Sequence, residues 1–459
     1  MGCRHFLFVC SLLFGMFFGH AKIELPNIFS DHMVLQRNTD VTLWGWGSPN
    51  ESIKVFTEWD GKSYSVSAGV DAKWSLLVPT PDAGGPYQVR FEGQTNTIEL
   101  TDVLIGEVWL CSGQSNMEWS ANSGIDNADT EIKAADYPNI RFFTVIKRTA
   151  EAPQENVSGT WSKCDPKEMA DFSAVAYYFG KRLQGALDVP IGLIDAAWGA
   201  SSAEVWTPQT VFEQRSDLAE SAKKIRPNKW VSVQPSSLYN AMIAPLHRFK
   251  IAGTLWYQGE SNTANAEKYS DLFTTMIRSW RTAWNADFPF YFVQIAPYTY
   301  GSPEEGVQVR DQQRRALSLT NTGMVLTSDI CTVDDIHPKN KKDVGLRLAN
   351  MALKKHYGAI SEEVNGPLFK EFERNGSKLR IVFDHAEGLT AKGKKIDQFE
   401  LAGPDGVFYP AKAKIKGDVI IASSKKVSDP VRVRFAWNNT DMAQLFNGVG
   451  LPASSFTSD

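Results

Sequence analysis

Four apolar runs in the middle of this chain each end in a short polar cluster, and this pattern constrains the fold most. The first run covers residues 103–111 and leads into the turn Gly113-Gln114-Ser115. The other three clusters lie at residues 198–204, 258–262 and 328–338. Short apolar runs that alternate with helical patterns are typical of parallel strands, whose carboxyl ends meet at one edge. The sequence therefore predicts that the four clusters converge on one functional site.

Changes in periodicity divide the chain into regions. Residues 22–100 consist of short β-like pieces, residues 101–358 alternate strand and helix patterns, and β alternation returns in residues 359–459. Helices are predicted at residues 169–187, 266–284, 307–319 and 341–357. We predict an α/β domain with a parallel sheet, flanked by an N-terminal and a C-terminal β module. The polar stretch at residues 214–235 is predicted to be a long loop or lid.

The first 21 residues have the features of a signal peptide. Arg4 and His5 precede an apolar run at residues 6–18, and small residues precede a cleavage point after Ala21. The run is shorter than the roughly 20 residues that span a bilayer, so no membrane association is expected after cleavage. We expect a mature chain that begins at Lys22 and is exported to the periplasm or outside the cell.

Composition argues against several functional classes. The formal net charge is −4 without basic runs, so a nucleic-acid partner is not expected. The three cysteines after the leader, Cys111, Cys164 and Cys331, lack metal-site spacing, and no phosphate-binding or dinucleotide motif is present. No metal or cofactor is expected, and the oligomeric state is left open.

Ser115 is the candidate nucleophile, and it needs a base. Met117 replaces the second glycine of a Gly-x-Ser-x-Gly elbow, which argues against an ordinary α/β-hydrolase. Among the histidines after the leader, only His337 stands in a polar loop after a core run, with Asp334 and Asp335 just before it. A carboxylate there can orient the imidazole. The alternative is that the aspartates form Asx-turns and His337 has no catalytic role.

Ester cleavage also needs hydrogen-bond donors for the developing oxyanion. The backbone N–H groups of Ser115 and Gly199 are candidates, and either Gln258 or Asn262 can supply a side-chain amide. In the alternative interpretation these residues only satisfy turns and loops.

The residues near these donors are candidates for substrate binding. They are Gln114, Asn116, Trp119 and Glu260, and Trp198, Trp206 and Tyr257 are further aromatic residues that could stack on a sugar. For Glu204 and Glu260 a structural role is favoured, because a negative charge beside an oxyanion would oppose catalysis. Glu118 with Glu260 is the one carboxylate pair considered for glycosidase chemistry.

Several motifs resemble the sialate O-acetylesterase-like branch of the SGNH hydrolases. They are Gly113-Gln-Ser-Asn-Met117, the cluster at residues 198–201, Trp256-Tyr-Gln-Gly-Glu-Ser-Asn262 and Asp335-Ile-His-Pro338. The resemblance covers nearly the whole mature chain. It implies an SGNH-type three-layer α/β/α domain and deacetylation of sugars through an acyl-enzyme, without metal or cofactor. It assigns Ser115 as nucleophile, His337 as base, and Ser115, Gly199 and Gln258 or Asn262 as the oxyanion hole.

The chain departs from the general SGNH pattern at two places. The third block of that pattern is Gly-x-Asn, whereas this chain has Gly259-Glu-Ser-Asn262, which is one residue longer. Gln258 and Asn262 therefore both remain candidates for the oxyanion hole. The general Asp-x-x-His spacing selects Asp334, whereas the family-like motif selects Asp335. We expect Asp334 to orient the histidine and Asp335 to cap the helix that begins near residues 339–341.

The sequence thus predicts an exported carbohydrate O-acetylesterase that acts on acetylated sialic acid or acetylated hemicellulose. The alternatives are a serine esterase or lipase on non-carbohydrate esters, and a carbohydrate-binding protein without catalysis.

Overall fold

The computed structural model describes residues 22–393 and 395–459. The predicted signal peptide lies outside the described residues. Within those two ranges, no helix is both long enough and apolar enough to cross a membrane.

The amino-terminal part is built from seven strands. They are β1 (Val34–Gln36), β2 (Asp40–Trp46), β3 (Ser52–Thr57), β4 (Lys62–Ser67), β5 (Lys73–Pro79), β6 (Gly84–Glu92) and β7 (Thr97–Gly113). β2 pairs with β5, and β3 lies between β4 and β6; these pairings are antiparallel.

β7 connects this region to the central sheet. It is 17 residues long; its first half pairs with β6, and its second half is flanked by strands of the central sheet. Residues 103–113 are all buried, because this half is covered on both faces. The predicted boundary between residues 100 and 101 therefore falls inside one continuous strand.

The central region alternates helices and strands. Its elements are α1 (Ser115–Glu118), α2 (Ala128–Lys133), β8 (Tyr137–Thr144), β9 (Trp161–Cys164), α3 (Pro166–Asp171), α4 (Ala174–Leu187), β10 (Ile191–Ala197), α5 (Gln209–Gln214), α6 (Ser216–Ala222), β11 (Gly253–Tyr257), α7 (Tyr269–Trp284), β12 (Phe290–Val293), α8 (Glu305–Arg315), β13 (Thr322–Val325) and α9 (Lys341–Lys355). The strand order is β13-β12-β11-β7-β10-β8-β9, and only β9 pairs antiparallel to its neighbour in this series.

Helices cover both faces of this sheet. Along β7, Trp109 and Cys111 belong to a core cluster that includes residues of α4 and α9. Val108 and Leu110 belong to the cluster that includes α7. This alternation follows from the two-residue period of a strand. The predicted α/β class with a helix-covered parallel sheet is confirmed.

One predicted helix and one predicted loop differ from the structure in detail. The predicted helix at residues 169–187 is interrupted, because Ser173 caps α4 by accepting a hydrogen bond from the N–H of Ala176. The stretch at residues 214–235 is not all loop, because it contains α6.

The carboxyl-terminal part is an antiparallel β structure. Its strands are β14 (Leu368–Asn375), β15 (Lys378–Asp384), β16 (Thr390–Ala391), β17 (Phe399–Ala402), β18 (Phe408–Pro410), β19 (Lys412–Lys416), β20 (Val419–Ser423), β21 (Arg432–Phe435), β22 (Leu445–Phe446) and β23 (Phe456–Thr457). Two four-stranded sheets, β14-β15-β20-β19 and β18-β17-β21-β23, enclose a core of their own around Phe399, Phe435 and Phe456. Arg310 of α8 donates to the carbonyls of Asn438 and Asn439, which ties this part to the central region.

Candidate active site

The four polar clusters meet around one cavity at the carboxyl edge of the central strands. Its volume is about 570 Å³, within the range of about 300–1,000 Å³ that is usual for small-molecule sites. Each cluster contributes to its lining, through Ser115, Gly199, Ser261 and His337. The convergence expected from the strand order is therefore present.

The turn that carries Ser115 depends on Gly113. This glycine has φ +138°, and a Cβ atom built on it would lie 2.2 Å from the carbonyl oxygen of Tyr257 in the neighbouring strand. The glycine lets β7 end tightly against β11, and the chain then begins α1 with Ser115. Ser115 is thus held at the strand end.

His337 reaches Ser115 from the fourth cluster. The distance from its Nε2 to the Ser115 Oγ is 2.9 Å, which is the spacing that proton transfer from a serine requires. The ring stacks on Trp119, with centroids 4.0 Å apart and planes at 18°. This stacking holds the imidazole in one orientation.

The charge state of His337 suits a base. Burial lowers the pKa of His337 and the positive charge of Lys341 lowers it further, whereas Asp335 and Glu118 raise it. The net direction is downward, so the imidazole is neutral at neutral pH and can accept a proton.

The two aspartates do not take the positions expected of them. Asp334 is exposed, and among the described residues no carboxylate hydrogen-bonds the Nδ1 of His337. Asp335 instead accepts a hydrogen bond from the backbone N–H of His337 at 2.8 Å, as in an Asx-turn. It does not cap α9 either. The Asn340 side chain does so, by accepting from the N–H of Asp343 at 3.0 Å.

Of the four oxyanion candidates, two line the cavity and two do not. Ser115 and Gly199 border it, while the side chains of Gln258 and Asn262 are fully buried. The Gln258 amide donates to the Asn262 Oδ1 at 2.7 Å, and the Asn262 amide donates to Glu204 at 2.9 Å. These amides connect two clusters to each other, so they are not directed at a substrate.

Gly199 already has a partner in the structure. Its N–H donates to the Glu118 Oε2 at 2.6 Å, and the Lys147 ammonium is paired with the same carboxylate. Glu118 therefore occupies the hydrogen-bond donor that the sequence assigned to an oxyanion.

Asn116 links the nucleophile turn to the histidine loop. Its amide donates to the carbonyl of Ile336 at 3.0 Å and to the Glu260 Oε1 at 2.6 Å. Asn116 is fully buried, so its contacts are internal, in contrast to the predicted substrate-binding role. Gln114 borders the cavity, but its oxygen accepts from the backbone N–H of Gly259 and Ser261.

Lys341 is a component of this network that the sequence reasoning missed. Its ammonium donates to the Asn116 Oδ1 and is completely buried. Burial lowers the pKa of Lys341 to about 7, against the opposing effect of Glu260 and Asp335. Burial likewise raises the pKa of Glu260. Nothing in the local sequence distinguishes Lys341 from the exposed Lys342 beside it.

The aromatic candidates divide by burial. Trp119 and Trp198 border the cavity, but Trp206 and Tyr257 are fully buried and cannot stack on a sugar. Trp230, which the sequence reasoning also missed, borders the cavity and is 67% exposed. Within the described part of the chain, no group of three or more histidine, cysteine or acidic side chains could hold a metal ion.

Comparisons with known proteins agree with this architecture. The sequence profile of the family described as "Carbohydrate esterase, sialic acid-specific acetylesterase" matches residues 105–354. A sialate O-acetylesterase of Mus musculus is 30% identical, over 90% of this chain and 89% of that protein. A sialate O-acetylesterase of Rattus norvegicus is 28% identical, over 95% of this chain and 94% of that protein. The crystal structure of a carbohydrate acetylesterase from Xanthomonas citri, 36% identical, covers 95% of this chain and 100% of that one with a TM-score of 0.87.

Proposed function

Because this chain belongs to the family of sialic acid-specific acetylesterases among the carbohydrate esterases, we propose that it removes acetyl groups from sugar hydroxyls in an exported compartment. Membership makes it a serine-type carboxylic-ester hydrolase. The observation that carries the proposal is the 2.9 Å contact between the Ser115 Oγ and the His337 Nε2 beside the cavity.

The proposed reaction proceeds through an acyl-enzyme. His337 takes the Ser115 proton while the Oγ attacks the acetyl carbonyl, and a tetrahedral intermediate forms. The intermediate collapses when the sugar oxygen leaves with the proton from His337. Water, deprotonated by the same imidazole, then attacks the acetyl-serine, and acetate leaves as His337 returns that proton to the Ser115 Oγ. Each step uses only water and groups of this chain.

Stabilisation of the oxyanion requires a change at Glu118. The Gly199 N–H can bind the acetyl oxygen only when the Glu118 carboxylate leaves it, because a carboxylate there would oppose the developing negative charge. Lys147, already paired with Glu118, provides an ionic partner for the displaced carboxylate. We therefore infer that substrate binding moves the Glu118 side chain.

We further infer that the base is positioned without a carboxylate on its far nitrogen. Trp119 stacks on the ring, and Asp335 holds the backbone of His337. In this proposal the catalytic unit is a Ser-His pair, and Asp335 positions the loop instead of the imidazole itself.

The substrate class rests on the relatives and on the cavity. The mammalian relatives are named sialate O-acetylesterases, and the structural relative is named a carbohydrate acetylesterase. Trp198 offers apolar ring surface beside the nucleophile, which suits the C–H face of a sugar. Acetylated sialic acid and acetylated hemicellulose are both candidate substrates.

Acetate release from acetylated sialic acids, xylan and xyloglucan tests the function directly. A carbohydrate acetylesterase hydrolyses at least one of these and prefers acetyl to long acyl chains on p-nitrophenyl esters. A preference for long chains would indicate a lipase instead. If a well-folded protein bound sugars but hydrolysed no ester, it would be a binding protein.

The proposed export rests on residues 1–21, which combine an apolar run with small residues just before Lys22. Amino-terminal sequencing of the secreted protein is expected to begin at Lys22. Recovery of Met1 would contradict both cleavage and export.

A further inference from the structure

Trp230 is an exposed aromatic residue at the border of the active-site cavity. Its relative exposure is 67%, and it is the only aromatic residue among the strongly exposed large apolar side chains of the described ranges. An exposed indole does not gain the free energy that comes from burying its roughly 150–250 Å² of mostly apolar surface. Because this ring borders a cavity, its apolar face is accessible to a ligand bound there.

The loop that carries Trp230 is held in place. The Asn228 side-chain oxygen accepts hydrogen bonds from the N–H groups of Trp230 at 2.9 Å and Val231 at 3.0 Å. The Trp198 indole N–H donates to the carbonyl of Trp230 at 3.2 Å. These bonds hold the backbone of the loop, so little backbone entropy remains to be lost when a ligand contacts the ring.

The ring of Trp230 also contacts a neighbouring lysine. The Lys229 ammonium lies 4.6 Å from the centroid of the Trp230 ring, in a cation–π contact. Lys147 makes a similar contact with Trp198, at 5.8 Å. Each indole is thus supported by one lysine, and both indoles border the cavity.

Trp198 and Gly199 connect Trp230 to the region of the nucleophile Ser115. A Cβ atom built on Gly199 would lie 3.4 Å from the Cβ of Ser115, and the preceding residue, Trp198, contacts Trp230. Trp230 therefore borders the cavity on the far side of Trp198 and Gly199 from Ser115. A ligand that touches both Trp230 and Ser115 must extend past the acetylated unit.

We propose that Trp230 forms a sugar-binding subsite next to the acetyl site, which accepts the pyranose ring that adjoins the acetylated unit of an oligosaccharide or polysaccharide. The C–H face of that ring stacks on the exposed indole, while its hydroxyls stay in water. This inference rests on the proposed function and narrows it: the substrate is an acetylated glycan chain, and free acetylated monosaccharides are poorer substrates.

The test compares substrates of two lengths on the wild type and on Trp230→Ala. One probe, p-nitrophenyl acetate, contains no sugar. The other probes are two pairs of a short and a long substrate. The first pair is acetylated methyl xyloside and acetylated xylotetraose, and the second is 9-O-acetyl sialic acid and 9-O-acetyl sialyllactose. For the sugar type that the enzyme hydrolyses, we expect the wild type to favour the longer member. Trp230→Ala is expected to raise KM for that member about twofold to tenfold, the range of one stacking contact, with kcat nearly unchanged. Its activity on p-nitrophenyl acetate and on the single sugar unit stays unchanged.

Two variants serve as controls. Trp230→Phe keeps an aromatic face and is expected to recover most of the lost affinity. Trp59→Ala removes a half-buried indole of the amino-terminal β region, away from the cavity lining, and is expected to leave the length preference intact.

The outcomes separate this inference from the proposed function. Three outcomes would overturn the subsite. Trp230→Ala could change KM equally on long and short substrates, the wild type could show no preference for the longer substrate, or the enzyme could hydrolyse p-nitrophenyl acetate alone. Undiminished hydrolysis by Ser115→Ala would instead overturn the proposed function, whatever Trp230→Ala does.

Discussion

The ammonium of Lys341 donates a hydrogen bond to the side-chain oxygen of Asn116, the residue that follows the candidate nucleophile. Because an ammonium has donors only, this contact turns the Asn116 NH₂ group toward the carbonyl of Ile336, which precedes His337. The neighbours of Ser115 and His337 are thus tied to each other by one oriented amide. This connection joins the turn of Ser115 to the loop of His337, whose reacting atoms lie 2.9 Å apart.

Ser115→Ala is expected to lower acetate release by about 10³-fold or more, since the nucleophile is lost while the rest of the site persists. The measurement is kcat/KM with p-nitrophenyl acetate, with a thermal melt to show that the fold is intact. Ser123 also borders the cavity, so Ser123→Ala is the matched control and is expected to retain activity. Loss of activity in the control alone would contradict the assignment.

Lys341→Met is expected to move the acid limb of the kcat/KM profile to higher pH. Activity requires neutral His337 and is lost as the pH falls through its pKa, which burial and Lys341 together hold below the ordinary value. Removal of the Lys341 charge raises that pKa, while Asp335 and Glu118, the other charged groups that act on the imidazole, remain. Lys342→Met, at the exposed neighbouring position, controls for the loss of a lysine. An unshifted limb in Lys341→Met would contradict this electrostatic effect.

Asp335→Ala is expected to lower kcat by about tenfold or more, because the backbone of His337 loses its hydrogen-bond acceptor and the loop shifts. Asp335→Asn keeps an acceptor oxygen and is expected to retain most activity. Asp334→Ala should resemble the wild type, since that side chain is exposed. Steady-state kinetics on the three variants provide the check. A severe loss in Asp334→Ala alone would restore the role that the motif spacing first suggested.

Glu118→Gln is expected to raise kcat/KM about twofold to tenfold. The neutral amide oxygen binds the Gly199 N–H less strongly than a carboxylate does, so the acetyl oxygen displaces it more easily. Measurement of kcat/KM on p-nitrophenyl acetate suffices. A fall of more than tenfold would show that the Glu118 charge itself contributes to catalysis.

Gly113→Ala is expected to destabilise the protein by more than about 3 kcal/mol, because strain at positive φ adds to a clash with the Tyr257 carbonyl. Gly124→Ala is the matched control. Gly124 also has a positive φ but open space around its missing Cβ, so its substitution is expected to cost only about 1–3 kcal/mol of strain. Chemical denaturation of both variants measures the difference. Equal losses would mean that the close approach of β7 and β11 contributes nothing.

The sequence by itself determined the strand ends and the two residues that meet there. An apolar run followed by a polar turn is a local pattern, and parallel strands end at a common edge, so Ser115 and His337 could be selected before any contact was known. The α/β class followed in the same way from the alternation of strand and helix patterns, since periodicity reports which face of an element is buried.

Only the tertiary structure decided which residue of each chemically similar pair is buried, exposed or in contact with the site. Gln258 and Asn262 are buried, Asp335 rather than Asp334 contacts His337, and Lys341 rather than Lys342 reaches Asn116. Likewise Trp230 is exposed beside the cavity while Trp206 is buried. Each of these choices depends on side-chain direction and on partners that are distant in the chain. Burial and hydrogen bonding are properties of the assembled neighbourhood, so a local pattern does not contain them.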